Sequence, residues 1–380
     1  MSVGSIGSVG SVGEEVPHDS AVTHVTGQSI FIDDRPEVQG EVFVGIVTSS
    51  VAHGKIKKID VQAALQHPDV LGIYRGRDFH KNVWGTIVEE QPLLADPIVS
   101  YMDEPILLIA VKDRLSLPVV RKLIKIEMEE IPSIFTIDEA IVSQKFIYVA
   151  HPFVQGDVAQ ALPKSPNRLK GVFECGGQEH FYLENQAAIA YPLENGQFEI
   201  HSSSQHPTET QHLVAHALGL RYCDVVSIVK RLGGGFGGKE SQAAPFAAYA
   251  ALVASKLKRP TRCVLTKDED MKITGKRHPF KIYYEVGFDD KGLLIALCAQ
   301  IYSDGGAYTD LSPSILERAM FHLDGAYYVP NIEIKAAACR TNNHSNTAFR
   351  GFGAPQGNMA MESIMEDIAI YLKKDSFLVR

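Results

Sequence analysis

The chain has 380 residues, 45% hydrophobic and 22% charged, the balance of a globular protein with room for two or three domains. A formal charge of −8 gives no electrostatic reason to expect nucleic acid or an anionic membrane as partner. Five scattered cysteines with no C-x-x-C pair speak against a disulfide framework and against an iron–sulfur cluster held by this chain, and suit reduced thiols in the cytoplasm.

Residues 1–26 open with a Ser/Gly/Val repeat and read as a flexible tail and extended lead-in. No signal peptide is visible, and the apolar run Ala243–Ala254 is too short for a membrane helix and contains Pro245. From 27 to 135 short elements alternate. Strands are expected at Val42–Val51, Val70–Tyr74, Pro105–Val111 and the period-two stretch Ile124–Ile131, with helices at Val61–Gln66 and Leu117–Lys122. Residues 136–168, with a short helix at Ile137–Val142 and the proline-bearing Ala150–Asn167, are expected to be a linker.

A larger domain follows over 169–380. Strands are expected at Leu169–Glu174 and Phe198–Ser203, then a helix at Glu209–Leu218. That helix carries His212-x-x-x-His216, the zincin spacing, but Leu213 stands where the catalytic glutamate belongs, so the pair is read as helix-face histidines. A strand at Val225–Lys230 leads into Arg231-Leu-Gly-Gly-Gly-Phe-Gly-Gly-Lys-Glu240, before an alanine-rich helix from about Ser241 to Lys256. Such a turn lets the backbone approach a bound group and aim N–H donors at it. It is not a dinucleotide loop, because no acid lies about 20 residues on, and not a P-loop, because Glu240 replaces the magnesium-binding Ser/Thr. Beyond it are a strand at Arg262–Thr266 and a hairpin pairing Lys281–Gly287 with Leu293–Tyr302. A helix from Pro313 to Leu323 follows, with Ser312 as N-cap, and a last helix runs from Gly357 to Lys373. A second glycine turn, Phe349-Arg-Gly-Phe-Gly-Ala-Pro-Gln-Gly357, repeats the grammar of the first, and the two together suggest donors converging on a polar or anionic cofactor.

The runs Gly176-Gly-Gln-Glu-His-Phe-Tyr-Leu-Glu184, Gly233–Glu240, Asp268–Met271 with Gly275–Phe280, Leu316–His322 and Asn346–Gln356 closely resemble the molybdenum-binding subunit of the xanthine dehydrogenase/aldehyde oxidase family. The resemblance runs in order from Gly13 to Arg380. It implies an α+β fold, with an α/β-hammerhead domain followed by the first molybdopterin-binding domain. It also implies a molybdenum–molybdopterin cofactor on this chain, with 2Fe-2S clusters and FAD on other subunits or domains. The reaction implied is hydroxylation of xanthine or hypoxanthine with water-derived oxygen, within purine metabolism.

Residue by residue, the resemblance puts Gln205, Phe236, Gly237 and Arg350 at the cofactor, with Gln205, Phe236 and Arg350 in the molybdenum environment. It puts Glu240, Arg318 and Phe352 at the substrate. Aldehyde oxidases generally have uncharged residues at the Glu240 and Arg318 positions, so the pair favours a purine. The plain alternative is that Glu240 caps its helix while Arg318 pairs with Glu317 or Asp324. The family's catalytic glutamate base lies in a second molybdopterin-binding domain and has no match here. The chain alone is therefore expected to be inactive, and the expected partners are that second domain, an iron–sulfur/FAD subunit and further copies in an oligomer. An aldehyde or other N-heterocycle hydroxylase, or a non-catalytic fragment, are the competing readings.

Overall fold

The computed structural model describes residues 12–380, so the first part of the expected tail lies outside the described residues. Three sheets organise the described residues. The largest has seven strands, in spatial order Val225–Ile228, Phe198–Ser202, Ala187–Pro192, Thr261–Val264, Val42–Thr48, Pro105–Val111 and Val70–Arg75. Its centre crosses the whole sequence. Val42 and Phe43 pair in parallel with Thr261 and Arg262, and the Arg262 guanidinium donates to Glu41 at 2.6 Å with both side chains 2% exposed. Residues 27–135 and 169–380 therefore share one sheet.

The alanine-rich helix forms over Ala244–Leu257, with Pro245 tolerated in the first turn where its missing N–H has no partner to lose. It is apolar all round because it is covered all round. It lies on the large sheet against Ala188, Ala190 and Ile200, the helix Pro207–Leu218 packs beside it, and the loop carrying Trp84, Leu93 and Leu94 closes over it. Tyr249 spends its hydroxyl on the Leu93 carbonyl at 2.6 Å, so even the polar tip of this helix is satisfied inside.

The second sheet runs Phe146–Val149, Asn331–Cys339, Leu294–Asp304, Phe280–Phe288 and Asn167–Cys175. The expected hairpin is present, with Phe280 to Phe288 antiparallel to Leu294–Asp304 through a turn closed by Gly292 at φ +98°. Alternation along Leu294–Asp304 decides what packs where. Leu297, Ala299 and Ile301 face the helices Ser312–Phe321 and Ala354–Leu372, while Ala296 and Cys298 face Val158 and Leu162. A small third sheet joins Gly54–Asp60 to Ile98–Val99 and Lys125–Glu130.

Three expectations need correction. The lead-in before residue 27 is not extended throughout, since Ala21–Val25 forms a short helix. The stretch 136–168 is not a bare linker: Phe146–Val149 and Phe153–Gln155 pair with Asn331–Cys339, and the helix Val158–Lys164 covers a face of the sheet. Ser312 is not an N-cap either. It lies inside the helix, where Leu311 is the capping residue, and its hydroxyl instead meets Nε2 of buried His278 at 2.8 Å. A buried imidazole, held neutral by burial that lowers its pKa to about 3, needs that partner more than the helix end does. Among the described residues no helix is long and apolar enough to cross a membrane.

Candidate functional site

The first glycine turn is held from beneath by a buried ion pair. Lys239 is fully buried, and its ammonium donates to the Glu184 carbonyl at 2.6 Å and to the Glu184 carboxylate at 3.3 Å, 4.5 Å from the centre of the Tyr182 ring. Glu184 also accepts the Gly233 N–H at 2.8 Å and the Ile32 N–H at 3.2 Å. One carboxylate thus fastens the start of the turn, its last lysine and the lead-in segment together. Burial lowers the Lys239 pKa to about 8, with Glu184 opposing the shift.

The turn does not simply point its N–H groups at solvent. Those of Gly237 and Lys239 donate to Gln205 Oε1 at 2.8 and 3.3 Å, that of Gly238 goes to the Gly235 carbonyl, and that of Glu240 to the Gly237 carbonyl. Two donors on Oε1 fix which way the Gln205 amide faces. Its NH₂ group has no partner among the described residues, and Gln205 is exposed. The side-chain amide of Gln205 is therefore one donor offered outward.

Gly237 has φ +100°, and a Cβ there would lie 2.6 Å from the Ala348 carbonyl oxygen, so the two glycine turns touch at a point where no side chain fits. Phe236 adopts φ +55°, uncommon for a bulky residue, and leaves 46% of itself exposed. The Arg350 N–H donates to the Phe236 carbonyl at 2.8 Å. Arg277 supports this second turn: its guanidinium lies 3.8 Å from the centre of the Phe349 ring and donates to the Arg350 carbonyl at 3.0 Å. His180 stacks on Phe349 at 4.5 Å and donates through Nε2 to the Ala348 carbonyl at 2.7 Å, its imidazole kept neutral by burial. Arg350 itself is exposed, and its guanidinium has no partner among the described residues.

The second turn rests on the helix Ser312–Phe321. Gly353 has φ +95°, and a Cβ there would sit 2.1 Å from the Ile315 carbonyl oxygen. This brings Phe352, half-buried against the helix cluster, next to the element carrying Arg318. Arg318 is exposed and Glu240 half-buried, and among the described residues neither charged group has a hydrogen bond or ion pair. The plain alternatives are not taken up. The helix after Glu240 begins at Ala244 with no side-chain cap, and Glu317 receives the Tyr148 hydroxyl instead of pairing with Arg318.

Of the residues expected at a cofactor, Phe236, Gly237 and Arg350 thus lie on mutually bonded turns and Gln205 is bonded to the first of them, with a free amide, an exposed aromatic ring and a free guanidinium, a set that fits a polar cofactor with anionic character. Reading the sequence missed the Glu184–Lys239 clamp and the Arg277 support, although all three residues lie within the runs that carry the resemblance. The two helix-face histidines serve elsewhere: His212 stacks on Tyr222 at 4.1 Å, and His216 lies 3.7 Å from Glu89.

Residues 26–132 match the a/b hammerhead domain of aldehyde oxidase and xanthine dehydrogenase, and residues 142–380 match the molybdopterin cofactor-binding domain. The chain is 42% identical to a xanthine dehydrogenase of Calliphora vicina, over 94% of this chain and 27% of that protein. It is 37% identical to a nicotinate hydroxylase of Emericella nidulans, over 94% of this chain and 27% of that one. The aldehyde oxidoreductase of Desulfovibrio gigas superposes with a TM-score of 0.90 at 25% identity, over 96% of this chain and 42% of that structure. The chain thus spans about a quarter of the length of these curated relatives.

Proposed function

Because this chain belongs to the aldehyde oxidase and xanthine dehydrogenase family and carries its hammerhead and molybdopterin cofactor-binding domains, we propose that it is the purine-gripping part of a cytoplasmic molybdenum hydroxylase acting on xanthine or hypoxanthine. Molybdopterin, when bound, supplies the redox chemistry. This chain's part is to orient and to stabilise charge. Gln205 presents a neutral N–H donor to the metal end of the cofactor without adding charge, beside Phe236, Gly237 and Arg350. Arg318 holds the negative charge that grows on a purine carbonyl oxygen, while Glu240 accepts a ring N–H from the other side. Phe352 bounds the flat slot between them.

The observation that carries this reading is that, among the described residues, neither the Glu240 carboxylate nor the Arg318 guanidinium has a hydrogen-bond or ion-pair partner. Two opposite charges left unpaired beside the hydrogen-bonded turns suit a polar ligand better than an uncharged aldehyde. The iron–sulfur clusters, the FAD, the general base and the second molybdopterin-binding domain belong to other domains or subunits in this reading, in an oligomeric assembly. Residues 1–380 alone should then hold little molybdenum and oxidise no xanthine. The second reading, a hydroxylase of another N-heterocycle or of an aldehyde, is favoured by the nicotinate hydroxylase and aldehyde oxidoreductase relatives. Turnover of xanthine against nicotinate and an uncharged aldehyde, in the enzyme assembled with the second domain, decides between them. A preference for either competitor overturns the purine assignment.

A further inference from the structure

Beneath the proposed substrate pair lies a buried carboxylate that none of the roles above uses. Asp310 is 4% exposed and adopts φ +39°, in the left-handed region where a non-glycine residue is strained. Its Oδ1 accepts the Ser241 hydroxyl at 2.7 Å and its Oδ2 accepts the Gln242 side-chain amide at 2.9 Å. The Thr347 hydroxyl lies 3.2 Å from that of Ser241, close enough to the carboxylate to oppose the rise in its pKa. Gln242 is held in turn by the Gly275 N–H at 3.3 Å. Every partner of this carboxylate is neutral, so burial, joined by the nearby charge of Glu240, raises its pKa while the three donors oppose the rise.

The partners matter for where they sit. Ser241 and Gln242 directly follow Glu240. Thr347 lies three residues before Arg350. Asp310 itself stands two residues before the helix Ser312–Phe321, which carries Arg318. A buried, strained, uncompensated aspartate is costly to keep, and a core could fill this volume with apolar groups at less expense.

We propose that Asp310 is a positioning residue that sets the spacing of Glu240 and Arg318 by tying the exit of the first glycine turn, the approach to the second and the start of the 312–321 helix to one side chain. This rests on the reading that Glu240 and Arg318 grip the substrate. It assigns Asp310 no contact with substrate and no proton transfer. Its effect is on geometry: losing it frees three segments at once, and the two gripping charges drift apart.

The test compares Asp310→Ala, Asp310→Asn and the double variant Ser241→Ala/Gln242→Ala in the assembled, molybdenum-loaded enzyme. Asp310→Ala should lower kcat/KM for xanthine, per bound molybdenum, by about ten-fold or more, and Asp310→Asn, which keeps one acceptor oxygen, should recover most of the loss. A merely structural aspartate would lower the yield of loaded enzyme and leave kcat/KM of the loaded fraction unchanged, which overturns the proposal. Hydrogen exchange is the second readout. Asp310→Ala should speed amide exchange over 240–243, 312–318 and 347–350 together, and acceleration confined to one of them contradicts the tie. If Asp310→Ala does not fold, the double variant takes the same two measurements. If the native enzyme ignores purines, the substrate assignment falls, and the exchange pattern still decides the role of Asp310.

Discussion

The Arg350 N–H donates to the Phe236 carbonyl at 2.8 Å, so two glycine turns more than a hundred residues apart in sequence form one hydrogen-bonded unit. Phe236 and Phe352 both take positive φ, as do Gly237, Gly351 and Gly353. A backbone held in such conformations persists only where its surroundings over-determine it. Here those surroundings are the Glu184–Lys239 clamp on one side and Arg277 with His180 on the other.

Gly237→Ala tests that unit. An added Cβ would meet the Ala348 carbonyl at 2.6 Å in a backbone conformation that L-residues avoid. The turns should separate, at a cost of about 1–3 kcal/mol in unfolding free energy. Molybdenum bound per assembled enzyme, measured by elemental analysis, should fall by far more than the folded fraction does.

Lys239→Met tests the clamp. Removing one partner of a buried pair leaves the Glu184 carboxylate, among the described residues, with only the Gly233 and Ile32 N–H groups. Destabilisation of about 3–5 kcal/mol is expected in urea unfolding. A Lys239→Met/Glu184→Gln double variant should lose less than the sum of the two single changes.

The joint between the hammerhead and cofactor-binding regions should respond to pH through Glu104. This carboxylate is 1% exposed and accepts the Tyr308 hydroxyl at 2.9 Å and the Ser100 N–H at 2.5 Å. Burial raises its pKa from 4.5 to about 7 against those bonds. A raised folded-state value means that the folded protein binds more protons between pH 4.5 and 7. The stabilisation is thus complete below 4.5 and is lost as pH climbs through 7. Glu104→Gln does not titrate. Its unfolding free energy relative to the native chain should shift in its favour by on the order of 3 kcal/mol between pH 4.5 and pH 8. A flat difference across that range would show that the carboxyl group is not a buried acid.

Much of the candidate site was legible because it lies in contiguous runs: the glycine turns, the aromatic residues among them and the flanking charges are visible as letters. Local signals also placed the 280–304 hairpin, the Pro105–Val111 strand and the buried alanine-rich helix. What stayed hidden is held by partners distant in sequence. The pairing of Val42 with Thr261 has no local signature, and strands such as Asn331–Cys339 end in an alanine run that reads as no particular element. Ser312 before Pro313 has the letters of an N-cap, and only the presence of buried His278 reassigns its hydroxyl. The inward-facing Gln205 Oε1 is equally silent in sequence, since the backbone donors that orient it lie 32 and 34 residues away.

The most direct measurement is the effect of Arg318→Met on kcat/KM for xanthine and for an uncharged aldehyde, in the enzyme assembled with its second cofactor-binding domain. If Arg318 holds charge developing on a purine oxygen, xanthine turnover should fall by about 100-fold or more while aldehyde turnover holds or rises. Equal losses on both substrates, or no loss on xanthine, would contradict the assignment of this chain as a purine-gripping half-site.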